Sequence, residues 1–96
     1  MPPRQWTFLS NHAHVVIALA KKPDSRIRDL AEEVGITERA VAQILTDLEE
    51  AGVLTREREG RRNVYSINAK APLRHPVEAH RTVGDILRLA ERASRR

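Results

Sequence analysis

The stretch Gly35-Ile36-Thr37-Glu38-Arg39-Ala40-Val41 decides how the chain is read. Upstream, Ile27, Leu30, Ala31 and Val34 recur at the spacing of a short amphipathic helix. Downstream, Val41, Ile44, Leu45 and Leu48 do the same for a longer one, expected from Glu38 to Ala51. Between them Gly35 suits the end of one helix, and the Thr37 hydroxyl can cap the start of the next. Two helices joined by so tight a turn must cross at a steep angle.

Past the second helix, Ala51-Gly52-Val53-Leu54 ends the helical pattern and starts a strand. Arg56-Glu57-Arg58-Glu59-Gly60-Arg61-Arg62 then reads as a basic hairpin tip, and Asn63-Val64-Tyr65-Ser66-Ile67 as the returning strand. In order, residues 10–68 spell a winged helix-turn-helix, a mainly α fold with a small β-wing.

On the N-terminal side, residues 1–9 form a basic arm carrying Trp6 and Phe8. Ser10 is placed to cap a helix running to about Lys22, which Pro23 stops. Leu9, His12, Ala13, Val16, Leu19 and Ala20 fall on one face of it, with Val15 and Ile17 widening that face. A helix this apolar around its girth buries two sides. Pro23-Asp24-Ser25 is a turn, and Arg26-Ile27-Arg28 is compatible with a very short strand.

On the C-terminal side, residues 69–81 read as a linker because of Pro72 and Pro76. Thr82-Val83-Gly84-Asp85 resembles a capping box opening a C-terminal helix within 82–96, with Val83, Ile86, Leu87, Ala90 and Ala93 as its stripe. The terminal helices carry more apolar surface than a 96-residue core needs. A homodimer is therefore expected, its interface drawn from Trp6, Phe8, Leu9, Val15, Ile17, Val83, Ile86, Leu87 and Ala90.

The charge distribution qualifies any simple account of partners. The chain has a formal charge of +4 and a pI near 10.3, which favours a polyanionic partner. Yet residues 23–52 carry three arginines against eight acids, a net charge of −5, while the regions on both sides are basic. With no cysteine, disulfides, thiolate metal sites and cysteine nucleophiles are excluded. No apolar run approaches the roughly 18 residues of a membrane span, and no signal peptide is recognisable. A soluble cytoplasmic protein without a membrane partner is expected.

The residues also carry a family likeness. Leu30-Ala31-Glu32-Glu33-Val34-Gly35-Ile36-Thr37, then Val41, Ile44-Leu45, Leu48-Glu49 and Ala51-Gly52-Val53-Leu54, resemble the MarR- and ArsR-type winged-helix transcriptional regulators. Arg58-Glu59-Gly60-Arg61-Arg62-Asn63-Val64-Tyr65 is similar to their wing hairpin. The likeness covers about two thirds of the chain and is closest to the short, stand-alone members. It implies double-stranded DNA as partner, with the helix 38–51 in the major groove. By helical geometry Arg39, Gln43, Thr46 and Glu50 oppose the buried stripe. Arg39 and Gln43 are then the first base readers, joined by Thr46 and by Glu38 at the reading edge. Thr37 and the wing arginines Arg56, Arg58, Arg61 and Arg62 would hold phosphates, one tip arginine reaching the minor groove.

Other function classes fare less well. His12 and His14 point about 200° apart on a helix, and the spacing of His75, Glu78 and His80 is not a ligand signature. No metal or cofactor is expected, and no phosphate loop, nucleophile elbow or carboxylate pair suggests an enzyme. Winged helices also serve as protein-interaction modules, and the acidic 23–52 region keeps that alternative open. A repressor responsive to a metal or small molecule is a further one, its effector unknown.

Overall fold

Ser10 opens the first helix: its hydroxyl accepts from Ala13 N, and α1 runs Asn11–Lys21. The computed structural model describes residues 5–91. Helix α2, Ile27–Val34, begins directly after the turn, so Arg26-Ile27-Arg28 forms no strand. The carboxylate of Asp29 accepts from Arg26 N, which satisfies the first turn and favours a helical start. At the other end, Gly35 N and Ile36 N both bond to Ala31 O with Gly35 at φ +85°, a left-handed stop that disfavours side chains. Helix α3, Glu38–Glu50, starts under the Thr37 cap, whose hydroxyl takes a 3.0 Å bond from Ala40 N.

The wing is an antiparallel pair, β1 Leu54–Glu59 and β2 Arg62–Ile67. Leu54 faces Ile67, Arg56 faces Tyr65, and Glu59 faces Arg62 at the end. The strands run farther than the sequence suggested, leaving a two-residue loop of Gly60 and Arg61 in place of a seven-residue tip. Gly60 at φ +61°, followed by a residue of negative φ, matches the hairpin turn that keeps glycine first. On its outer edge β2 is not free: Tyr65 N donates to Pro23 O at 3.0 Å. That bond gives the segment after α1 the place in the sheet that a third strand would hold.

The core gathers Leu19, Leu30, Val15 and Val41, the most deeply buried large side chains, at the junction of α1, α2 and α3. Leu48, Val53, Leu54 and Tyr65 extend it under the wing. The buried face of α1 is Val15, Val16, Ala18 and Leu19, whereas His12 and Ala20 are exposed. Val15 is fully buried and Val83 is 6% exposed, so neither can belong to a subunit interface. Both sides of α1 are covered within one chain, by α2 and α3 on one hand and by the last helix and β2 on the other.

Residues 69–81 are not an extended linker. They fold back as a closed loop: Pro72 bridges Thr82, Leu73 N donates to Arg81 O, Val83 N to Ala71 O and Gly84 N to Ala69 O. Ala71 is buried beneath it. The loop returns the chain to α4, Val83–Leu89, which starts under its Thr82 cap as expected and is shorter than the sequence suggested. Residues 92–96, including Ala93 at the expected helix end, lie outside the described region.

The capping box at α4 is present. Thr82 N donates to Asp85 Oδ2 at 2.9 Å, and Asp85 N donates back to the Thr82 hydroxyl. The Thr82 backbone N–H, aided by the Arg88 guanidinium, holds the Asp85 carboxyl below its ordinary value of 3.8. A depressed carboxylate adds stability above the unfolded pKa and loses it as pH falls through the folded one. Acidification below about pH 4 is therefore expected to loosen α4. Hydrogen exchange at Val83 and Gly84 should show that step in wild type and a weaker one in Asp85→Asn.

Candidate nucleic-acid interface

Helix α3 turns Val41, Ile44, Leu45 and Leu48 inward and leaves Glu38, Arg39, Ala42, Gln43, Thr46 and Glu50 exposed. With 100° per residue, Arg39, Ala42, Gln43, Thr46 and Glu50 form one outward stripe. The small Ala42 in its middle permits close approach of a flat or grooved surface. Arg39 makes no ion pair or hydrogen bond among the described residues. Thr46 donates its hydroxyl to Ala42 O at 3.1 Å, so outward it offers only lone pairs and a methyl group. Gln43 Nε2 donates to Asp47 Oδ1 at 3.0 Å, keeping its carbonyl oxygen and second N–H free.

The wing arginines separate into two groups. Arg62 reaches back to Asp24, with its Nη1 3.0 Å from the carboxylate and 2.9 Å from the backbone carbonyl. It therefore tethers β2 to the α1–α2 turn beside the Tyr65–Pro23 bond. Arg56 sits 3.4 Å from Glu49 of α3 and fastens the other strand. Arg58 bonds only the Gly60 carbonyl through Nε, and exposed Arg61 makes no ion pair among the described residues. Of the four wing arginines expected on phosphates, Arg58 and Arg61 are available, while Arg56 and Arg62 are engaged in holding the fold.

The same contacts explain much of the acidic balance of residues 23–52. Asp24 is paired with Arg62, Asp29 caps its own helix, Asp47 meets His12 and Gln43, and Glu49 meets Arg56. Hydrogen bonds from His12 and then Gln43 hold the Asp47 carboxyl below its ordinary range. That leaves Glu32, Glu33, Glu38 and Glu50 exposed and without an ion pair among the described residues. Of these, Glu38 and Glu50 stand at the two ends of α3, Glu50 on its outward stripe.

Tyr65 is buried under the wing, and burial pushes its hydroxyl pKa up. It is a packing residue on the same face of the wing as buried Leu54. The contacts that sequence periodicity did not announce are His12–Asp47 and Asp24–Arg62, which join positions 35 and 38 apart. Only the complementary charges hinted at them.

The family model for winged helix-turn-helix DNA-binding domains matches residues 12–55, from the start of α1 to the start of β1. The chain is built on a winged helix-turn-helix. No curated protein sequence gives a significant match to it. Among solved structures, this winged helix is similar to PcaV, a transcriptional regulator from Streptomyces coelicolor crystallised with its natural ligand. The identity is 27% and the TM-score 0.54, over 62% of this chain and 45% of PcaV. The chain thus spans less than half the length of that regulator. The family model describes a DNA-binding domain, and the similar structure is that of a transcriptional regulator.

One consequence separates the two neighbouring arginines at the turn. Arg62→Ala removes a half-exposed ion pair and a bond to a carbonyl, together worth about 0.5–1 kcal/mol after screening. It should lower the melting temperature by a few degrees and leave the salt dependence of DNA binding near wild type. Equal salt slopes in Arg62→Ala and Arg61→Ala would contradict this division.

Proposed function

We propose that this chain is a sequence-specific, double-stranded DNA-binding transcriptional regulator acting as a homodimer. The observation that carries the reading is the outward stripe of α3, where among the described residues Arg39 stands unpartnered and Gln43 presents a free donor and acceptor. In this reading α3 enters the major groove, Arg39 pairs bidentately with guanine, and Gln43 reads adenine. Thr46 and Glu38 complete the reading edge. The amides capped by Thr37 and the side chains of Arg58 and Arg61 hold phosphates.

The dimer is supported by apolar surface left on the monomer. Trp6 and Phe8 are 73% and 92% exposed and stack edge to face at 4.8 Å. Half-buried Ile17, Leu87 and Ala90 line an open groove between α1 and α4. Leu9 and Ile86 are also half-buried, and Leu89 is 74% exposed. Two copies would bring two recognition helices to about one DNA turn apart, near 34 Å. No helix among the described residues is long and apolar enough to cross a membrane.

Fluorescence anisotropy with genomic fragments, repeated across salt concentration, tests the reading. Binding should weaken steeply with salt, and Arg61→Ala should flatten the log–log slope by about one unit per subunit on every sequence. Sedimentation should give a dimer at micromolar concentration. Absence of salt-dependent binding would favour a winged-helix protein-interaction module, and a monomer at high micromolar concentration would remove the dimer.

A further inference from the structure

Asp47 stands on the flank of the α3 stripe and ties two helices together. Its Oδ2 accepts from His12 Nε2 of α1 at 2.8 Å, and its Oδ1 accepts from Gln43 Nε2 at 3.0 Å. Both acceptors belong to one carboxylate, so the three side chains form a continuous hydrogen-bonded chain from α1 to the outward face of α3. All three are at least partly exposed, and none is needed to fill the core.

The chemistry of the carboxylate gives this chain a direction. A carboxylate only accepts, so the amide of Gln43 must turn its nitrogen toward Asp47. Its Oε1 and the second N–H are then presented together in a fixed order. An unheld glutamine would sample several rotamers and both amide orientations, and could meet a donor or an acceptor edge with either end. The held one offers one acceptor and one donor, the complement of the N6 and N7 edge of adenine.

His12 completes the restraint from outside the helix. Asp47 alone could swing between rotamers, but the imidazole of α1 fixes one of its oxygens. The acceptor also fixes the tautomer of a neutral His12, whose proton must be on Nε2. Imidazole and imidazolium make the same bond, so the arrangement does not depend on the charge of His12. Arg74 and Glu78 border the same cavity as His12, and Arg74 also stabilises the Asp47 carboxylate electrostatically.

Resting on the DNA-binding reading above, we propose that His12 and Asp47 are positioning residues for Gln43, so that base discrimination by α3 depends on a side chain of α1. Base preference at one step is then set by three residues, only one of which faces the base.

Selection from random duplexes gives the preferred site, and anisotropy titrations on duplexes changed one step at a time measure discrimination. Wild type should lose affinity when the step read by Gln43 is changed, and Gln43→Ala should abolish that preference. Asp47→Ala and His12→Ala should each reduce discrimination at this step about five- to tenfold, with discrimination at the Arg39 step and the salt slope unchanged. His12→Gln, which can still donate to Asp47, should restore most of it. Circular dichroism confirms that each variant is folded. Unchanged discrimination in folded Asp47→Ala and His12→Ala overturns the relay alone, as does a uniform loss at every step. A wild type that binds no DNA, or binds without sequence preference, overturns both the relay and the function it rests on.

Discussion

Leu30→Ala is expected to lower the stability of the protein by about 2–5 kcal/mol, the range for deleting a buried leucine. Leu30 is fully buried and shares the central cluster with Leu19, Val15 and Val41. Three helices meet there, so the space left cannot be closed by shifting one of them without disturbing the others. Small domains hold roughly 5–15 kcal/mol in total, and this chain, at 96 residues, belongs near the lower end. At about 4–8 °C per kcal/mol, the melting temperature should fall by at least about eight degrees. Val77→Ala, at a position 77% exposed and outside the proposed subunit interface, is the control and should change stability by less than about 0.5 kcal/mol. Urea titration of both variants checks the pair, and a small effect at Leu30 would mean that the three-helix junction is misplaced.

Arg39→Ala is expected to have the largest effect on recognition. Arg39 lies in the first turn of α3, beyond the Thr37 cap, exposed and without an ion-pair partner among the described residues. A bidentate contact to guanine is worth about 1–3 kcal/mol of discrimination per site. In a homodimer the loss is counted twice, so affinity for the preferred site should fall at least tenfold and discrimination at that base should vanish. Binding to random duplexes should change far less. This signature is the opposite of that for Arg61→Ala, where all sequences suffer alike. An Arg39→Ala protein that loses affinity equally on all duplexes would move Arg39 from base reading to phosphate contact.

The local signals of the fold were legible in the sequence because their causes are local. Ser10, Thr37 and the Thr82–Asp85 pair announce helix starts through side chains that bond amides two or three residues ahead. Gly35 and Gly60 mark stops and turns through backbone angles that other residues resist. Legibility ended where the deciding partner is distant in the chain. The apolar girth of α1 correctly signalled two covered sides, but periodicity does not say whose surface covers them. The second cover is α4 and β2 of the same chain, so Val15 and Val83 are core and not interface. Proline spacing suggested a linker at 69–81, and the backbone bonds that close it into a loop have no sequence signature.

The candidate site was legible to a similar depth. Helical geometry put Arg39, Gln43 and Thr46 on one face, and the structure has them there. Four wing arginines looked equivalent when residues 56–62 were read as one hairpin tip, whereas the observed register puts Arg62 on the face opposite Arg56 and Arg58. What alternation could not supply was Asp24 waiting on that side.

The bond from Tyr65 to the Pro23 carbonyl also bears on how the protein behaves in a crowded solution. A lone hairpin has two open edges, each able to recruit a foreign strand. Here the β2 edge is met by Pro23, and among the described residues that of β1 remains open. Along it Arg56, Glu57, Arg58 and Glu59 alternate in sign. An incoming apolar strand would have to strip water from four charges to pair there. The alternating charges that surround the phosphate-facing Arg58 thereby make the wing a poor template for aggregation.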